Sequence, residues 1–145
     1  MKNILVLEDD PANLQVFAAI LWSKGHNVLE ASTAEEAREA SQRADRIDLL
    51  VTDIGLTNDV SGTEVAVALA RKYDGLPVAF VTGTPFELWA EADRQNYHAL
   101  QSSGVAVLEK PFMPSTFSAA VEHLLKKADN DAAIRSVRER EFSTV

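Results

Sequence analysis

Five residues whose side chains could bind a metal or take part in a reaction stand at the ends of short apolar runs. They are Glu8, Asp9, Asp53, Thr82 and Lys110. The runs cover residues 4–7, 49–52, 78–81 and 105–108. If these runs are parallel strands of one sheet, then three carboxylates, a hydroxyl and an ammonium group meet at its carboxyl edge. Open α/β sheets form their ligand-binding crevices at that edge.

The chemistry that suits these side chains is metal-assisted transfer of a phosphoryl group. Three carboxylates in one crevice repel each other unless a cation lies among them. Hard divalent ions such as Mg²⁺ prefer oxygen ligands. A lysine and a hydroxyl beside such a site can donate hydrogen bonds to the charged oxygens of a phosphoryl group. The five residues therefore predict a Mg²⁺-assisted phosphoryl acceptor.

The elements that would position these residues alternate between strand-like and helix-like segments. Strands are predicted over residues 4–7, 27–31, 47–52, 77–82 and 105–108. Helices are predicted over residues 11–25, about 33–45, about 63–73, about 86–103 and through 117–125. Such alternation is typical of a parallel sheet with crossover helices, so we predict an α/β fold of the (βα)₅ type.

Local signals mark several helix boundaries. Asp10 is a suitable N-cap, and Pro11 is a suitable first helical residue. We therefore interpret Asp10 as a helix cap rather than as a further acid of the crevice. Thr33 and Glu36 have the spacing of a capping box. A loop through Asn58 is predicted to lead from the third strand to the third helix.

Length and composition restrict the class of protein. The chain has 145 residues, which suggests one domain with a modest core. Its net charge of −8 argues against non-specific nucleic-acid binding, which requires a basic surface. It has no cysteine, which excludes disulfides, and no apolar run long enough for a signal peptide or a membrane span. We therefore expect a cytoplasmic protein that binds neither nucleic acid nor a membrane.

The last part of the chain differs in composition from the rest. Residues 1–127 contain all the predicted strands and helices, whereas residues 128–145 mix acids with arginines and have few large apolar side chains. We predict a domain over residues 1–127 and a charged C-terminal extension over residues 128–145. The pattern leaves two alternatives open for the extension, an extra exposed helix or a tail.

Taken together, the motifs resemble those of receiver domains of two-component response regulators, over about residues 2–127. The matching residues are the acidic pair Glu8 and Asp9, Asp53 at the end of an apolar strand, Thr82 followed by Gly83, and Lys110 followed by Pro111 and Phe112. Each motif alone is weak, whereas all of them in this order are a strong signal. The resemblance implies a single-domain regulator with a doubly wound, flavodoxin-like sheet of five parallel strands in the order 2-1-3-4-5.

The resemblance also implies which residues accept the phosphoryl group and hold the metal. Asp53 would accept the group from a phosphohistidine of a sensor histidine kinase or of a histidine phosphotransfer protein. Asp9, Asp53 and the backbone carbonyl of Gly55 would bind Mg²⁺ directly. Glu8 would bind the ion through a water molecule.

Thr82 and Lys110 would act on the phosphoryl group itself, by a hydrogen bond from Thr82 and an ion pair from Lys110. The bond between Lys110 and Pro111 is expected to be cis, as is usual in receivers. Receivers commonly carry an aromatic residue three positions before the lysine, where this chain has Val107. In this respect the chain is similar to an atypical group that lacks the aromatic switch. Output would then depend on shifts of the backbone or of the fourth helix.

The resulting hypothesis is a signalling protein rather than an enzyme. Phosphorylation would alter binding of an unidentified downstream protein at the face formed by the fourth helix, fifth strand and fifth helix, or the phosphoryl group would be passed on. The protein would be a monomer or a weak homodimer.

Two other classes of protein remain as alternatives. A pseudo-receiver that acts by contact alone usually loses the acceptor, an acidic ligand or the lysine, and all of these are present here. A phosphohydrolase with an aspartyl-phosphate intermediate needs an acid two residues after the nucleophile, where this chain has Gly55.

Overall fold

A parallel sheet forms the centre of the computed structural model, which describes residues 1–56 and 60–143. In these residues the strands are β1 (Asn3–Leu7), β2 (Asn27–Ala31), β3 (Leu49–Asp53), β4 (Val78–Thr82) and β5 (Val105–Glu109). Their order in the sheet is β2-β1-β3-β4-β5, and every neighbouring pair is parallel. The predicted doubly wound α/β fold and its strand order are therefore confirmed.

The register of the strands brings their carboxyl ends to the same edge. Leu7 of β1 pairs with Thr52 of β3, so that the residues that follow them leave the sheet together. Thr82 of β4 pairs with Glu109 of β5, which places Lys110 directly beyond the end of β4. The four strand ends that carry the predicted site thus lie side by side.

Helices cover both faces of the sheet. In the described residues they are α1 (Pro11–Ser23), α2 (Ala34–Arg43), α3 (Gly62–Lys72), α4 (Glu91–Leu100) and α5 (Pro114–Ser143), with short 3₁₀ turns at Phe86–Leu88 and Gln101–Ser103. Alternate side chains of the central strands enter two separate cores, as expected for strands buried on both faces. Leu5 and Leu7 pack with residues of α2, α3 and α4, whereas Ile4 and Val6 pack with residues of α1 and α5.

The predicted caps at the first two helices are present. Asp10 Oδ1 accepts a hydrogen bond of 2.9 Å from the backbone N–H of Ala12, and Pro11 is the first residue of α1. Thr33 Oγ1 accepts from the N–H of Glu36 at 3.0 Å. The Glu36 carboxylate accepts from the N–H of Ser32 rather than from that of Thr33, so the second half of the capping box reaches one residue further back.

The predicted continuous helix over residues 86–103 is wrong. A 3₁₀ turn ends at Leu88, Trp89 and Ala90 adopt extended backbone with ψ near 149°, and only then does α4 begin. The Trp89 ring is 4% exposed and packs edge-on against Phe80. Its Nε1–H donates to the carbonyl of Thr84 at 2.9 Å. Burial of this ring therefore outweighs the local preference for an unbroken helix.

Helix α5 continues through the position at which the domain was predicted to end. It runs from Pro114 to Ser143, so residue 127 lies inside it and residues 128–143 are helical. Lys2 Nζ pairs with Asp129 Oδ1 at 2.7 Å. The guanidinium of Arg135 lies over Gly75, where an added Cβ would be 3.2 Å from each terminal nitrogen. The far half of α5 thus contacts the amino edge of the sheet.

Two parts of the sequence predictions fall outside the described residues. They are the loop position Asn58 and the last two residues of the predicted extension, 144 and 145. Within the described residues, no helix combines the length and the apolar character needed to cross a membrane.

Candidate metal centre

The carboxyl edge of the sheet brings the five predicted side chains together. Glu8 and Asp9 follow β1, Asp53 is the last residue of β3, Thr82 is the last residue of β4, and Lys110 follows β5. One carboxylate oxygen from each of Glu8, Asp9 and Asp53 lies within 4.8 Å of the others. Glu8 is 1% exposed. The three acids therefore form one compact set of oxygen donors.

Lys110 bridges two of these carboxylates. Its Nζ lies 2.9 Å from Asp53 Oδ2 and 3.4 Å from each carboxylate oxygen of Glu8. The backbone N–H of Lys110 donates to the carbonyl of Thr82 at 2.7 Å, which continues the pairing of β4 with β5. The bond between Lys110 and Pro111 is cis, as expected.

Two glycines between β3 and the start of α3, Gly55 and Gly62, contact Asp53. The N–H of Gly55 donates to Asp53 Oδ1 at 3.2 Å, so this residue lies beside the Asp53 carboxylate. Gly62 lies so close to Asp53 that an added Cβ would be 1.8 Å from its carbonyl oxygen. The N–H of Gly62 donates to the carbonyl of Ile54 at 2.9 Å. Asp53 is therefore fixed by backbone contacts as well as by Lys110.

Burial and neighbouring charges shift the protonation equilibria of this site. Burial of the Glu8 carboxyl and the negative charge of Asp53 raise its pKa, against the opposing effects of Lys110 and of Asn13, whose Nδ2 donates to Glu8 Oε1 at 3.4 Å. Burial of the Lys110 ammonium lowers its pKa, but the hydrogen bond to Asp53 and the charges of both acids outweigh that effect, so the net pKa is raised. Lys110 is thus held in its charged form.

The charges and donor atoms of the site fit a hard divalent cation. Three carboxylates face one ammonium group, which leaves about two negative charges uncompensated when all are ionised. Carboxylate oxygens are the ligands that Mg²⁺ prefers. Glu8 is nearly buried, yet its hydrogen bonds from Lys110 and Asn13 are long, at 3.4 Å. A cation among these oxygens would stabilise a charge that the protein compensates only in part.

Thr82 lies at the end of β4, one residue beyond Val81, which pairs with Asp53. Its hydroxyl accepts from the N–H of Thr84 at 3.0 Å, and the side chain is buried. The carbonyl of Thr84 in turn accepts from the indole of Trp89. Val107, the position at which receivers usually carry an aromatic residue, pairs in register with Phe80. Phe80 is thus the residue of β4 that lies beside Val107 in the sheet.

The sequence patterns did not indicate three of the residues that contact the site. Asn13 lies five residues after Glu8 on the first turn of α1, a spacing that carries no special signal. Gly62 looks like an ordinary loop glycine until its distance to Asp53 is known. Trp89 is linked to the site through Thr84, and its hydrogen bond to the carbonyl of that residue leaves no pattern in the sequence.

Comparison with known families and proteins finds similarity to response regulators and other regulatory proteins. A family model described as the response regulator receiver domain matches residues 4–122. The phyllosphere-induced regulator PhyR of Methylorubrum extorquens is 30% identical over 124 residues, which are 85% of this chain and 43% of that protein. The alkaline phosphatase synthesis transcriptional regulatory protein PhoP of Bacillus subtilis is 26% identical over 88% of this chain and 50% of its own length. The chain thus spans about half the length of these curated relatives.

Solved structures with the same fold cover most of the chain. A CheY-like receiver domain protein from Methanospirillum hungatei is 25% identical with a TM-score of 0.76, over 90% of this chain and 98% of that one. The receiver domain from the hybrid histidine kinase CckA is 32% identical with a TM-score of 0.65, over 85% and 98% of the two chains. The similarity therefore extends over nearly the whole of each solved domain.

Proposed function

The chain belongs to the response regulator receiver domain family of two-component systems, and on that premise we propose that Asp53 accepts a phosphoryl group with the help of Mg²⁺. The observation that carries the proposal is the contact of 2.9 Å between Lys110 Nζ and Asp53 Oδ2, beside the grouped carboxylates of Glu8 and Asp9. This arrangement supplies a nucleophile, a counter-charge and oxygen ligands in one place. The donor would be a phosphohistidine of a sensor histidine kinase or of a histidine phosphotransfer protein.

The transfer itself requires one bond to form and one to break. A carboxylate oxygen of Asp53 forms a bond to phosphorus while the bond from phosphorus to the imidazole nitrogen of the donor breaks. The electron pair of the broken bond stays on that nitrogen, and Asp53 becomes an acyl phosphate. Asp9, Asp53 and the Gly55 carbonyl would hold Mg²⁺ directly, and Glu8 would hold it through a water molecule. The ion would supply positive charge that reduces the repulsion between the carboxylate and the phosphoryl group.

Lys110 and Thr82 would stabilise the phosphorylated form. The ammonium group of Lys110 can move from the Asp53 carboxylate to a phosphoryl oxygen without leaving the crevice, because it already contacts Asp53. The hydroxyl of Thr82 uses one acceptor position for the N–H of Thr84 and keeps its own hydrogen available for a phosphoryl oxygen. Each residue thus has the donor that its proposed role requires.

In this proposal the protein is a stoichiometric switch rather than an enzyme, and it acts in the cytoplasm. Phosphorylation shifts an equilibrium between two conformations of the surface formed by α4, β5 and α5. That surface binds an unidentified downstream protein, or the phosphoryl group passes to a further relay protein. Neither nucleic acid nor a membrane takes part, and the protein is a monomer or a weak homodimer.

The test is phosphorylation by acetyl phosphate, read by intact mass with and without Mg²⁺. We expect wild type to gain a single phosphoryl group only when Mg²⁺ is present, and Asp53→Asn to gain none. Asp45→Asn is the matched control, because Asp45 is exposed and lies outside the grouped carboxylates. An adduct that persists in Asp53→Asn would assign the acceptor to another residue. Wild type that neither binds Mg²⁺ nor gains an adduct would instead be a module that acts by contact alone.

A further inference from the structure

A partly buried hydrogen-bonded cluster joins the start of α3 to the first turn of α4. Asp93 Oδ1 accepts from Ser61 Oγ at 2.5 Å and from Thr63 Oγ1 at 2.6 Å. Asn96 Nδ2 donates to Thr63 Oγ1 at 3.0 Å. The Thr63 side chain is fully buried. Distances this short are typical of hydroxyl groups that donate to an ionised carboxylate, so Asp93 holds both hydroxyls firmly.

The two residues that Asp93 holds lie on either side of Gly62. Gly62 is the residue that touches the Asp53 carbonyl, and it leaves no room for a side chain there. Ser61 also forms an isolated antiparallel bridge with Gly55, whose N–H donates to Asp53 Oδ1. The hydrogen bonds from Ser61 and Thr63 to Asp93 of α4 therefore hold Gly62 and Gly55, the two backbone positions that contact Asp53.

We propose that Asp93 is a positioning residue for the acceptor site, which couples α4 to the occupancy of the metal centre. By holding Ser61 and Thr63, it keeps Gly62 against Asp53 and keeps Gly55 beside the Asp53 carboxylate. The inference rests on the proposed function, because it concerns the residues that would bind Mg²⁺ and accept the phosphoryl group. It adds a physical connection between that site and α4 through which a conformational change could pass without an aromatic residue at position 107.

The coupling must act in both directions. If Mg²⁺ or a phosphoryl group shifts Gly55 or the end of β3, the shift reaches Asp93 through the bridge and through the contact at Gly62. By thermodynamic linkage, if Mg²⁺ binding changes the strength of the Asp93 contacts, then loss of those contacts must change the affinity of the site for Mg²⁺. A merely structural link between α3 and α4 would change the stability of the protein and leave the Mg²⁺ affinity of the folded protein unchanged.

The test compares Asp93→Ala, Asp93→Asn and the control Glu91→Ala. Glu91 is an exposed acid on the first turn of the same helix, so its replacement makes the same change in charge without touching Ser61 or Thr63. The Mg²⁺ dissociation constant of each folded protein is measured by isothermal titration calorimetry, and the rate of phosphorylation by acetyl phosphate is measured by intact mass. Circular dichroism checks that each variant is folded.

We expect Asp93→Ala to weaken Mg²⁺ binding by about 5-fold or more and to slow phosphorylation, with wild-type values for Glu91→Ala. Asp93→Asn keeps an oxygen that can accept both hydroxyl hydrogens, so it should fall between Asp93→Ala and wild type. If Asp93→Ala does not fold, the comparison of Asp93→Asn with wild type decides the question. Thr63→Val, which removes one hydroxyl at nearly constant volume, should shift the affinity in the same direction.

The outcomes separate this inference from the proposed function. Wild type that binds Mg²⁺ and is phosphorylated, together with folded Asp93 variants of unchanged affinity and rate, would contradict the positioning role and leave the proposed function intact. Wild type that shows neither Mg²⁺ binding nor phosphorylation would contradict the proposed function, and the inference would fail with it.

Discussion

The negative charge of Glu8 destabilises the folded protein when no cation is bound nearby. Its carboxyl group is almost fully buried beside Asp53, and burial and that neighbouring charge raise its pKa even though Lys110 lies 3.4 Å away. The ionised form of Glu8 is therefore less stable in the folded protein than in the unfolded chain. A cation bound beside Glu8 would stabilise the ionised carboxylate in the folded protein.

We expect Glu8→Gln to raise the free energy of unfolding in Mg²⁺-free buffer at neutral pH, by about 0.5–2 kcal/mol. The penalty of the ionised form is present above the folded pKa and disappears as the pH falls to the ordinary value of 4.5, so the advantage of Glu8→Gln should shrink over that interval. Chemical denaturation at several pH values measures this. Glu30→Gln, at an exposed position of β2, is the control. A Glu8→Gln protein less stable than wild type at neutral pH would contradict the prediction.

The five side chains of the candidate metal centre could be predicted because each one lies at or just beyond the end of an apolar run. A strand fixes where its last residue points, and Asp53 and Thr82 are at such positions, while Lys110 directly follows β5. Asn13 could not be predicted in the same way, because its spacing of five residues from Glu8 carries no signal. Asp93 could not be predicted because Thr63, one of its partners, lies 30 residues away on another helix. Hydrogen bonds of this kind leave no periodic pattern in the sequence.

At the scale of whole elements, α3 approaches β3 closely at Gly62. We expect Gly62→Ala to lower the free energy of unfolding by about 1–3 kcal/mol, because its Cβ would overlap the Asp53 carbonyl and force α3 and β3 apart. The same displacement should weaken Mg²⁺ binding. Denaturation and calorimetric titration measure the two effects.

Gly83→Ala is the matched control for this prediction. Nothing lies within 4 Å of the position that a Cβ would occupy at Gly83, so the substitution should change stability little. If Gly62→Ala were as stable as wild type, the approach of α3 to β3 would be looser than the structure indicates.

The strands and helices themselves were predictable to different degrees. β1, β3 and β4 are buried on both faces, so their continuous apolar runs identify them. The stretch from Phe86 to Ser103 has the composition of a helix throughout, yet it is interrupted before α4. The interruption follows from the burial of Trp89 against Phe80, a tertiary contact that local sequence does not encode.

For the whole molecule, the far half of α5 adds contacts between distant parts of the chain. We expect removal of residues 128–145 to leave the fold and phosphorylation of Asp53 intact but to lower the free energy of unfolding by about 1 kcal/mol, because the Lys2–Asp129 pair and the Arg135 contact are lost. Chemical denaturation measures the change. Removal of residues 138–145 alone keeps both contacts. Equal losses in the two truncated proteins would assign the effect to residues 138–145 rather than to these two contacts.

The ion pair between Lys2 and Asp129 also has a kinetic consequence. It joins residues 127 positions apart and thereby closes nearly the whole chain into a ring. Closing so long a loop early in folding has a high entropic cost, so this contact should form after the sheet has brought its two ends together. A contact that is absent from the transition state slows unfolding without accelerating folding. We therefore expect the pair to prolong the lifetime of the native state slightly and to leave the rate of folding unchanged.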